Sequence, residues 1–244
     1  MPKARTKYPG PLINNRDPEK HFQFHDIRMR EFYSAVISTL ANNNELEGNL
    51  LHVGCGTAAF EILFCDKSGY AKLHGLERSR TFIRIGEAVL SRYGYSNRIF
   101  IKSWGDELIP FPDNHFDYIV SLFSMHQWKD PVKTLKEIER VRKKNSVVFI
   151  ADYRRDVSSL SFGFYARKFK SQYGKEVTLN LMNGYKASYT INELEEIMNQ
   201  ASISGWKIEK DNKWLSLVSR SVDDETDDVA GDLEFLLTEQ EEDK

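Results

Sequence analysis

The sequence predicts an α/β protein in which a mostly parallel sheet is covered by helices on both faces. Short apolar runs of strand length alternate with segments in which apolar residues recur every three or four positions, between residues 49 and 152. This alternation favours parallel strands joined by helical crossovers. The first strand also ends in the turn Gly54-Cys55-Gly56, and helical spacing begins directly after it. Such a turn lets a nucleotide-like ligand approach free backbone N–H groups at the carboxyl edge of the sheet.

Each element has its own signal in the sequence. A helix is predicted from Asp26 to Leu40, where the apolar residues share one face. Strands are predicted at the apolar-leaning runs 50–53, 71–77, 98–103, 116–122 and 146–152. One helix follows the glycine turn, a second begins after the N-capping residue Ser79, and a third begins at Pro131, since proline suits a first helical turn.

The pattern changes past Asp152, where residues 153–188 are predicted to form an inserted segment that is helical in part. A helix then begins after Thr190, because Glu193 three residues later completes a capping box. Two further strands with Asp211-Asn212 between them are predicted to close the sheet as a hairpin.

Composition predicts one domain with appendages, because a chain of 244 residues that is 41% hydrophobic can bury a sizeable core. We divide the chain into an N-terminal arm and helix at 1–47, a main domain at 48–222 and an acidic tail at 223–244. The tail holds 11 acidic residues and one lysine, so we expect it to be disordered. It could also serve as a surface for a protein partner.

The net charge limits the possible binding partners, and the cysteine content indicates the cellular compartment. Residues 1–222 hold 33 basic and 25 acidic groups, a net charge of +8 that could favour anionic substrates or nucleic acid. A solvated surface explains this charge equally well. The two cysteines, Cys55 and Cys65, make no disulfide framework, and no run reaches membrane-spanning length. We therefore predict a cytoplasmic protein with no membrane partner.

Two classes of ligand fit the glycine turn. Gly54 to Ala59 satisfies a loose G-x-G-x-x-A dinucleotide pattern, and Glu77 lies 21 residues after Gly56, at the end of the next strand. A carboxylate there can accept both ribose hydroxyl groups. NAD-binding chains normally begin with this strand, however, whereas about 48 residues precede it here and a hairpin ends the sheet. These features favour S-adenosylmethionine, a nucleoside ligand held in the same geometry.

Four ordered segments carry a family resemblance. "LLHVGCGTA", "LHGLERSRTFIRIGEA", "DELIPFPDNHFDYIVSLFSMHQW" and "DPVKTLKEIERVRK" resemble successive motifs of the class I S-adenosylmethionine-dependent methyltransferases, of the type 11 domain group that includes quinone-biosynthesis enzymes. The resemblance covers about residues 48–152. It implies a Rossmann-like fold of seven strands with an antiparallel last strand. It also implies methyl transfer to a small molecule, with S-adenosylhomocysteine as product.

The same resemblance implies roles for particular residues. Gly54 and Gly56 would pass beneath the methionyl part of the cofactor, and Glu77 would bind its ribose hydroxyls. Asp106 would accept from the adenine amino group, with Glu107 as the alternative in register. The neighbouring positions assigned to the cofactor site are His52, Cys55, Arg78, Gly105, Ser121, Leu122 and His126.

The sequence departs from the family pattern at three places. His52 stands where an acidic residue is common, Ala58 where a third glycine is usual, and Lys144-Asn145-Ser146 where a Pro-Gly-Gly turn is normal. Loss of the acidic residue removes one anchor for the cofactor's amino group. A catalytically silent binding protein with this fold is therefore one alternative, and a protein or RNA methyltransferase is another.

Methyl transfer from a sulfonium is an in-line displacement, so the enzyme mainly aligns the acceptor and excludes water. A hydroxyl or ammonium acceptor also needs a base to take its proton. His126, after the fourth strand, is the candidate base, and Tyr153 is a second candidate. The alternative is that His126 and Trp128 only pack the mouth of the site. We predict no metal site.

The acceptor class is narrowed by motifs that do not occur after the fourth strand. Neither an Asn/Asp-Pro-Pro-Tyr motif nor a Pro-Cys pair is found there, which disfavours methylation of a base amine or of pyrimidine C5. Nucleic acid is thus a disfavoured partner, although it is not excluded. The inserted segment suits a planar or anionic acceptor through Tyr153, Arg154, Arg155, Phe162, Phe164, Tyr165, Arg167, Lys168 and Tyr173. Equally, it is an amphipathic segment whose aromatic residues pack on the domain.

Overall fold

The computed structural model describes residues 4–10, 22–41, 46–68, 72–105, 108–210 and 212–219. The strands are β1 (Asn49–Val53), β2 (Lys72–Glu77), β3 (Ile99–Ser103), β4 (Phe116–Leu122), β5 (Arg142–Tyr153), β6 (Trp206–Lys210) and β7 (Trp214–Ser219). The α-helices are α1 (Arg30–Ala41), α2 (Ala59–Lys67), α3 (Arg80–Tyr93), α4 (Pro131–Val141), α5 (Ser159–Arg167), α6 (Lys170–Ala187) and α7 (Ile191–Ala201). A π-helical turn at Phe24–Arg28 precedes α1, and a 3₁₀ turn at Met125–Gln127 follows β4.

The seven strands form one sheet in the order β3-β2-β1-β4-β5-β7-β6. The pairs from β3 to β5 are parallel, while β7 runs antiparallel to both β5 and β6. The predicted sheet, parallel apart from its last strand, is confirmed. The strand order reverses between β1 and β4, and the carboxyl ends of parallel strands at such a switch point border a crevice. The site therefore belongs at this edge.

Two apolar clusters cover the two faces of the sheet. Leu50 belongs to the cluster under α1, α2 and α6, and its neighbour Leu51 belongs to the cluster under α4 and α7. Successive strand residues point to opposite faces, so a strand that is apolar throughout must be covered on both sides. The near-continuous apolar runs of the sequence are explained by this double burial.

Capping residues set several helix boundaries as predicted. Ser79 Oγ accepts the N–H of Phe82 at 3.3 Å, and Thr190 with Glu193 forms a complete capping box. The predicted helix from Asp26 instead begins as a π-helical turn, and α1 proper starts at Arg30. Ile27, which the helical pattern placed on the apolar face, is 60% exposed. The π-helical turn rotates this residue away from the face that α1 buries.

The fifth strand also differs from the prediction. The sequence predicts this strand from residue 146, yet β5 begins at Arg142, directly after α4. No glycine or proline interrupts Arg142 to Ser146, so this backbone can stay extended. Lys143 Nζ lies 2.8 Å from Asp117 Oδ1 on β4 and fixes the extension. The unusual Lys144-Asn145-Ser146 sequence thus lengthens the strand.

The inserted segment is helical, as α5 and α6. Gly174 interrupts α6 with φ 91° and ψ 173°. Phe162 is buried and its ring stacks on Tyr185 at 4.4 Å, while Tyr173 is also buried. These aromatic residues therefore pack on the domain, as expected for an amphipathic segment. None of the helices among the described residues has the length and apolar character needed to span a membrane. The acidic tail at 223–244 lies outside the described residues.

Candidate active site

The glycine turn sits at the carboxyl end of β1. The backbone N–H groups of Gly54 and Cys55 donate to the Leu76 carbonyl at 2.7 and 3.1 Å, which ties the turn to β2. A Cβ at Gly54 would overlap Ser124, whereas a Cβ at Gly56 would meet open space. Both glycines have positive φ, +85° and +58°. The turn thus leaves room for a ligand above Gly56 and none beside Gly54.

We expect Gly54→Ala to destabilise the fold by about 2–3 kcal/mol, because left-handed strain and overpacking against Ser124 add. Gly56→Ala is the matched control, since its new methyl group meets only open space and should cost about 1 kcal/mol. Urea unfolding of both variants checks this. Equal losses would contradict the packing argument.

Ala58 adopts the left-handed conformation, with φ 64° and ψ 19°, at the position where the family pattern has a glycine. The backbone therefore keeps the geometry that a glycine would favour. An alanine there carries strain of about 1–2 kcal/mol. The departure from the pattern is accommodated without a change in the path of the turn.

Glu77 ends β2 beside the turn. Its Oε2 accepts the N–H of Gly56 at 2.9 Å, and its Oε1 accepts those of Arg78 and Ser79 at 2.8 and 2.7 Å. Burial raises the pKa of Glu77, although the three N–H bonds oppose this shift. The carboxylate is 8% exposed and its orientation is fixed by the backbone. It is a preorganised acceptor at the sheet edge.

One cavity, with about 710 Å³ of empty space including its open mouth, joins this carboxylate to the end of β4. It is lined by Tyr8, Phe24, Gly54, Gly56, Glu77, Phe82, Leu122, Phe123, Ser124, His126, Gln127, Tyr153, Val177, Asn180 and Leu181. A smaller pocket shares Gly54 and Glu77 with it and adds Arg78, Trp104 and Trp128. The two pockets thus adjoin at the glycine turn and the Glu77 carboxylate.

His126, which lines the cavity, forms a buried pair with Asp152. His126 Nδ1 lies 2.9 Å from Asp152 Oδ1, and the His126 backbone N–H donates to Asp152 Oδ2 at 2.6 Å. Tyr153 N–H donates to the same carboxylate at 2.7 Å. The carboxylate therefore holds the imidazole through Nδ1, which leaves Nε2 as the ring nitrogen that can exchange a proton.

Tyr153, the second candidate base, also lines the cavity. Its ring stacks on Phe123 at 4.8 Å, and burial raises its pKa well above the ordinary value. A phenol with a raised pKa keeps its proton at neutral pH. Tyr153 is therefore suited to packing or to hydrogen bonding, and His126 is better suited to take a proton.

The other residues assigned to the cofactor lie around or behind the turn. His52 is buried behind it, with Nδ1 2.8 Å from Glu61 Oε1, and the Cys55 side chain faces Gly75. Ser121 lies next to the cavity-lining Leu122, and its Oγ is 2.8 Å from Ser124 Oγ. Gly105 is exposed and its carbonyl accepts from Lys129. Asp106 and Glu107 lie outside the described residues.

Most of the residues of the inserted segment that were predicted to contact the acceptor make contacts outside the cavity. Of the nine, Tyr153 lines the cavity, while Arg155 pairs with Glu193 and Arg154 pairs with Asp156. The segment instead contributes Val177, Asn180 and Leu181 from α6, which the sequence analysis did not select. Basic and aromatic character did not identify the residues that face the cavity. Packing of the segment against the domain decides which of its side chains point there.

Sequence reasoning also missed Asp152 and Tyr8 as site residues. Asp152 is the penultimate residue of β5, at the same sheet edge as His126, so the carboxyl-edge rule could have selected it. Tyr8 reaches the cavity from the N-terminal arm, and its ring lies edge-on to His126 at 4.9 Å. No local pattern signals such a contact.

Comparison with known proteins fits this geometry. Residues 51–150 match the family described as "Methyltransferase domain", of type 11. The chain is 35% identical over 98 residues to the demethylmenaquinone methyltransferase of Geobacillus stearothermophilus, a match that covers 40% of this chain and 42% of that protein. The corresponding enzyme of Bacillus pumilus is 34% identical over 99 residues, 40% of this chain and 42% of its own. The chain thus matches well under half the length of these relatives.

Solved structures share the fold. A SAM-dependent methyltransferase from Aquifex aeolicus is 18% identical with a TM-score of 0.59, over 83% of this chain and 97% of that one. The plantazolicin methyltransferase BpumL, solved with a desmethyl substrate analogue and SAH, is 15% identical with a TM-score of 0.63, over 84% and 91%. At these identities the likeness concerns the fold alone. Residues 51–150 thus match a methyltransferase domain of type 11, and the chain shares the fold of the solved S-adenosylmethionine-dependent methyltransferases.

Proposed function

We propose that the protein is an enzyme that transfers the methyl group of S-adenosylmethionine to a small-molecule acceptor and releases S-adenosylhomocysteine. One observation carries the proposal: a single cavity joins the Glu77 carboxylate and the glycine turn to the His126–Asp152 pair. A nucleoside-binding end and a proton-accepting end in one cavity are what an in-line displacement needs, because the reacting groups must be aligned away from water.

The residues present fit the adenosyl cofactor. Glu77 is a fixed acceptor suited to two ribose hydroxyls, and the open space above Gly56 allows close approach of a ligand. Trp104 and Trp128 border the smaller pocket beside Glu77, where flat rings suit the adenine base. The cofactor supplies a methyl group on a positively charged sulfur.

His126 acts as the base in this proposal. Asp152 orients its ring, and Nε2 takes the proton that the acceptor gives up as its new bond to carbon forms, whether from a hydroxyl, an ammonium or the methylated ring carbon of a hydroquinone. The buried Asp152 carboxylate then stabilises the imidazolium that results. General base catalysis of this kind contributes about 10²–10⁴-fold to a rate.

The cavity walls favour a planar, largely apolar acceptor over an anionic one. Phe123, Tyr153 and Leu181 contribute aromatic and aliphatic surface, and no lysine or arginine is among the side chains that line the main cavity within the described residues. Glu77 and Asp152 are acidic, so an anionic acceptor would be repelled. Demethylmenaquinone, named in the relatives, has this planar character, and its reduced hydroquinone form, which is nucleophilic, is the first acceptor to test.

The flanking segments supply the lid in this proposal. Tyr8 and Phe24 reach the cavity from the region 1–47, and α6 of the segment 153–188 forms the facing wall. The two cysteines are buried and unpaired, which supports a reducing compartment such as the cytoplasm. The acidic tail stays a predicted surface for a protein partner.

We expect Glu77→Ala to weaken S-adenosylmethionine binding at least about 100-fold, because two hydrogen bonds to a charged acceptor are lost. Glu77→Gln, which keeps the shape and one acceptor oxygen, should lose about tenfold. Calorimetric titration of S-adenosylmethionine, S-adenosylhomocysteine and NAD measures these affinities.

Glu87→Ala is the matched control, because Glu87 is an exposed glutamate on α3. Its affinities should equal those of the wild type. Micromolar binding of both adenosyl ligands, with NAD excluded, supports the proposal. If the wild type bound neither ligand, the silent binding protein would replace the enzyme as the better interpretation.

A further inference from the structure

Residues 4–10, which we call the N-terminal strap, are fastened across the junction of α6 and α7. Arg5 Nε donates to the Ala187 carbonyl at 2.7 Å, and its guanidinium lies 4.2 Å from the centre of the Tyr189 ring. The Thr6 N–H donates to the Lys186 carbonyl at 3.0 Å. Several contacts within three residues of each other give the strap a defined position.

The strap is also tied to the site itself. Arg5 Nη2 donates to the backbone carbonyl of His126 at 3.2 Å, so one side chain connects the strap, the α6 end and the candidate base. Three residues later, Tyr8 enters the cavity and its ring lies edge-on to His126. Arg5 therefore anchors the segment that delivers Tyr8.

Tyr8 lines the same cavity as Glu77 and His126. Burial raises the pKa of the Tyr8 phenol, and the negative charges of Glu77 and Asp152 raise it further. Both carboxylates therefore act on the space around the ring. The Tyr8 ring presents a π-system to the cavity within the influence of both carboxylates.

We propose that Tyr8 is a cofactor-specificity residue that recognises the positive charge of the sulfonium, and so distinguishes S-adenosylmethionine from the neutral product S-adenosylhomocysteine. This inference rests on the proposed function, because Glu77 must hold the ribose for the sulfur to lie beside Tyr8. An aromatic ring attracts a ligand cation, and the attraction grows when both are shielded from water. Two nearby carboxylates act in the same direction.

The discrimination has a consequence for turnover. Methyl transfer removes the charge from the sulfur, so the attraction to Tyr8 disappears once the product has formed. The product is then held by the ribose and adenine contacts alone, so it dissociates more readily than S-adenosylmethionine. The strap thereby contributes to the order of binding and release without touching the acceptor.

The test compares the dissociation constants of S-adenosylmethionine and S-adenosylhomocysteine by calorimetry in full-length variants. Tyr8→Leu, which removes the ring, should weaken S-adenosylmethionine binding about tenfold and S-adenosylhomocysteine binding less than about twofold. Tyr8→Phe keeps the ring and should stay within about twofold of the wild type for both ligands. Arg5→Ala, which loosens the strap, should shift the ratio of the two dissociation constants in the same direction by about threefold.

Lys7→Ala is the matched control, since Lys7 is exposed on the same strap. Thermal unfolding of each variant shows whether it is folded. Equal weakening of both ligands in Tyr8→Leu would overturn the inference, because it would leave Tyr8 with a role in shape alone. If Arg5→Ala kept the wild-type ratio of the two dissociation constants, the inferred role of the strap would also be overturned. If the wild type bound neither ligand, the proposed function would fail first, and that result is distinct from either of these.

Discussion

Replacement of His126 by alanine should lower kcat for methyl transfer about 10³-fold, while the dissociation constant of S-adenosylmethionine changes less than about threefold. The reason is that the ring lies at the acceptor end of the cavity and serves the proton transfer. Single-turnover transfer from methyl-labelled cofactor measures the rate, with reduced demethylmenaquinone as the first acceptor.

Asp152→Asn tests the positioning of that base. An amide next to Nδ1 can donate where the carboxylate only accepts, so the imidazole would move its proton to Nε2 and lose its function as a base. We expect a loss of about 10²-fold or more in kcat. Nitrogen NMR of the His126 ring reports the tautomer directly, and this signal does not depend on the acceptor.

Asp156→Asn is the control for this variant, because Asp156 is exposed and pairs with Arg154 outside the cavity. It should keep the wild-type rate. If His126→Ala and Asp152→Asn both turned over normally, His126 would be a packing residue at the mouth of the site. That outcome would also remove the proton-accepting end from the proposed function.

The sheet and the nucleoside end of the site could be predicted because their signals are local. Strand and helix periodicities lie within each element, and Glu77 was found by its distance from Gly56 along one βαβ unit. The structure adds that Glu77 accepts the Gly56 N–H at 2.9 Å. Spacing sufficed here because the fold of such a unit fixes the relation between its first turn and its second strand.

The acceptor end could not be predicted to the same degree because its contacts are remote in sequence. His126 and Asp152 are 26 residues apart and meet only because β4 and β5 pair in register. Tyr8 meets His126 from a strap more than a hundred residues away. Arg155 and Phe162 are buried in the domain, as the packing alternative has it, because composition alone does not say which side chains face a cavity.

The buried pair behind the glycine turn gives the second large effect that we expect. His52 Nδ1 lies 2.8 Å from Glu61 Oε1, with the two side chains 4% and 0% exposed. His52 Nε2 and Glu61 Oε2 have no hydrogen-bond partner among the described residues. His52→Leu or Glu61→Met alone should therefore cost about 3–5 kcal/mol in the free energy of unfolding, because each strands a buried polar partner.

The double variant His52→Leu with Glu61→Met should recover most of this loss, since apolar side chains of similar volume replace both partners at once. Urea unfolding of the two single variants and the double variant completes the cycle. Asp113→Ala is the surface control, because Asp113 is 67% exposed in its pair with Arg140 and should cost less than about 1 kcal/mol. Additive losses in the double variant would show that the two side chains do not stabilise each other.

The same double variant separates two explanations of the departure at His52. If it is stable and still binds S-adenosylmethionine with wild-type affinity, then His52 and Glu61 only support the turn from behind. The cofactor would then be held by Glu77 and the backbone, without an acidic anchor at position 52. If affinity falls while stability recovers, the pair itself positions the Gly54 turn for the ligand, and the histidine is a working replacement for the missing carboxylate.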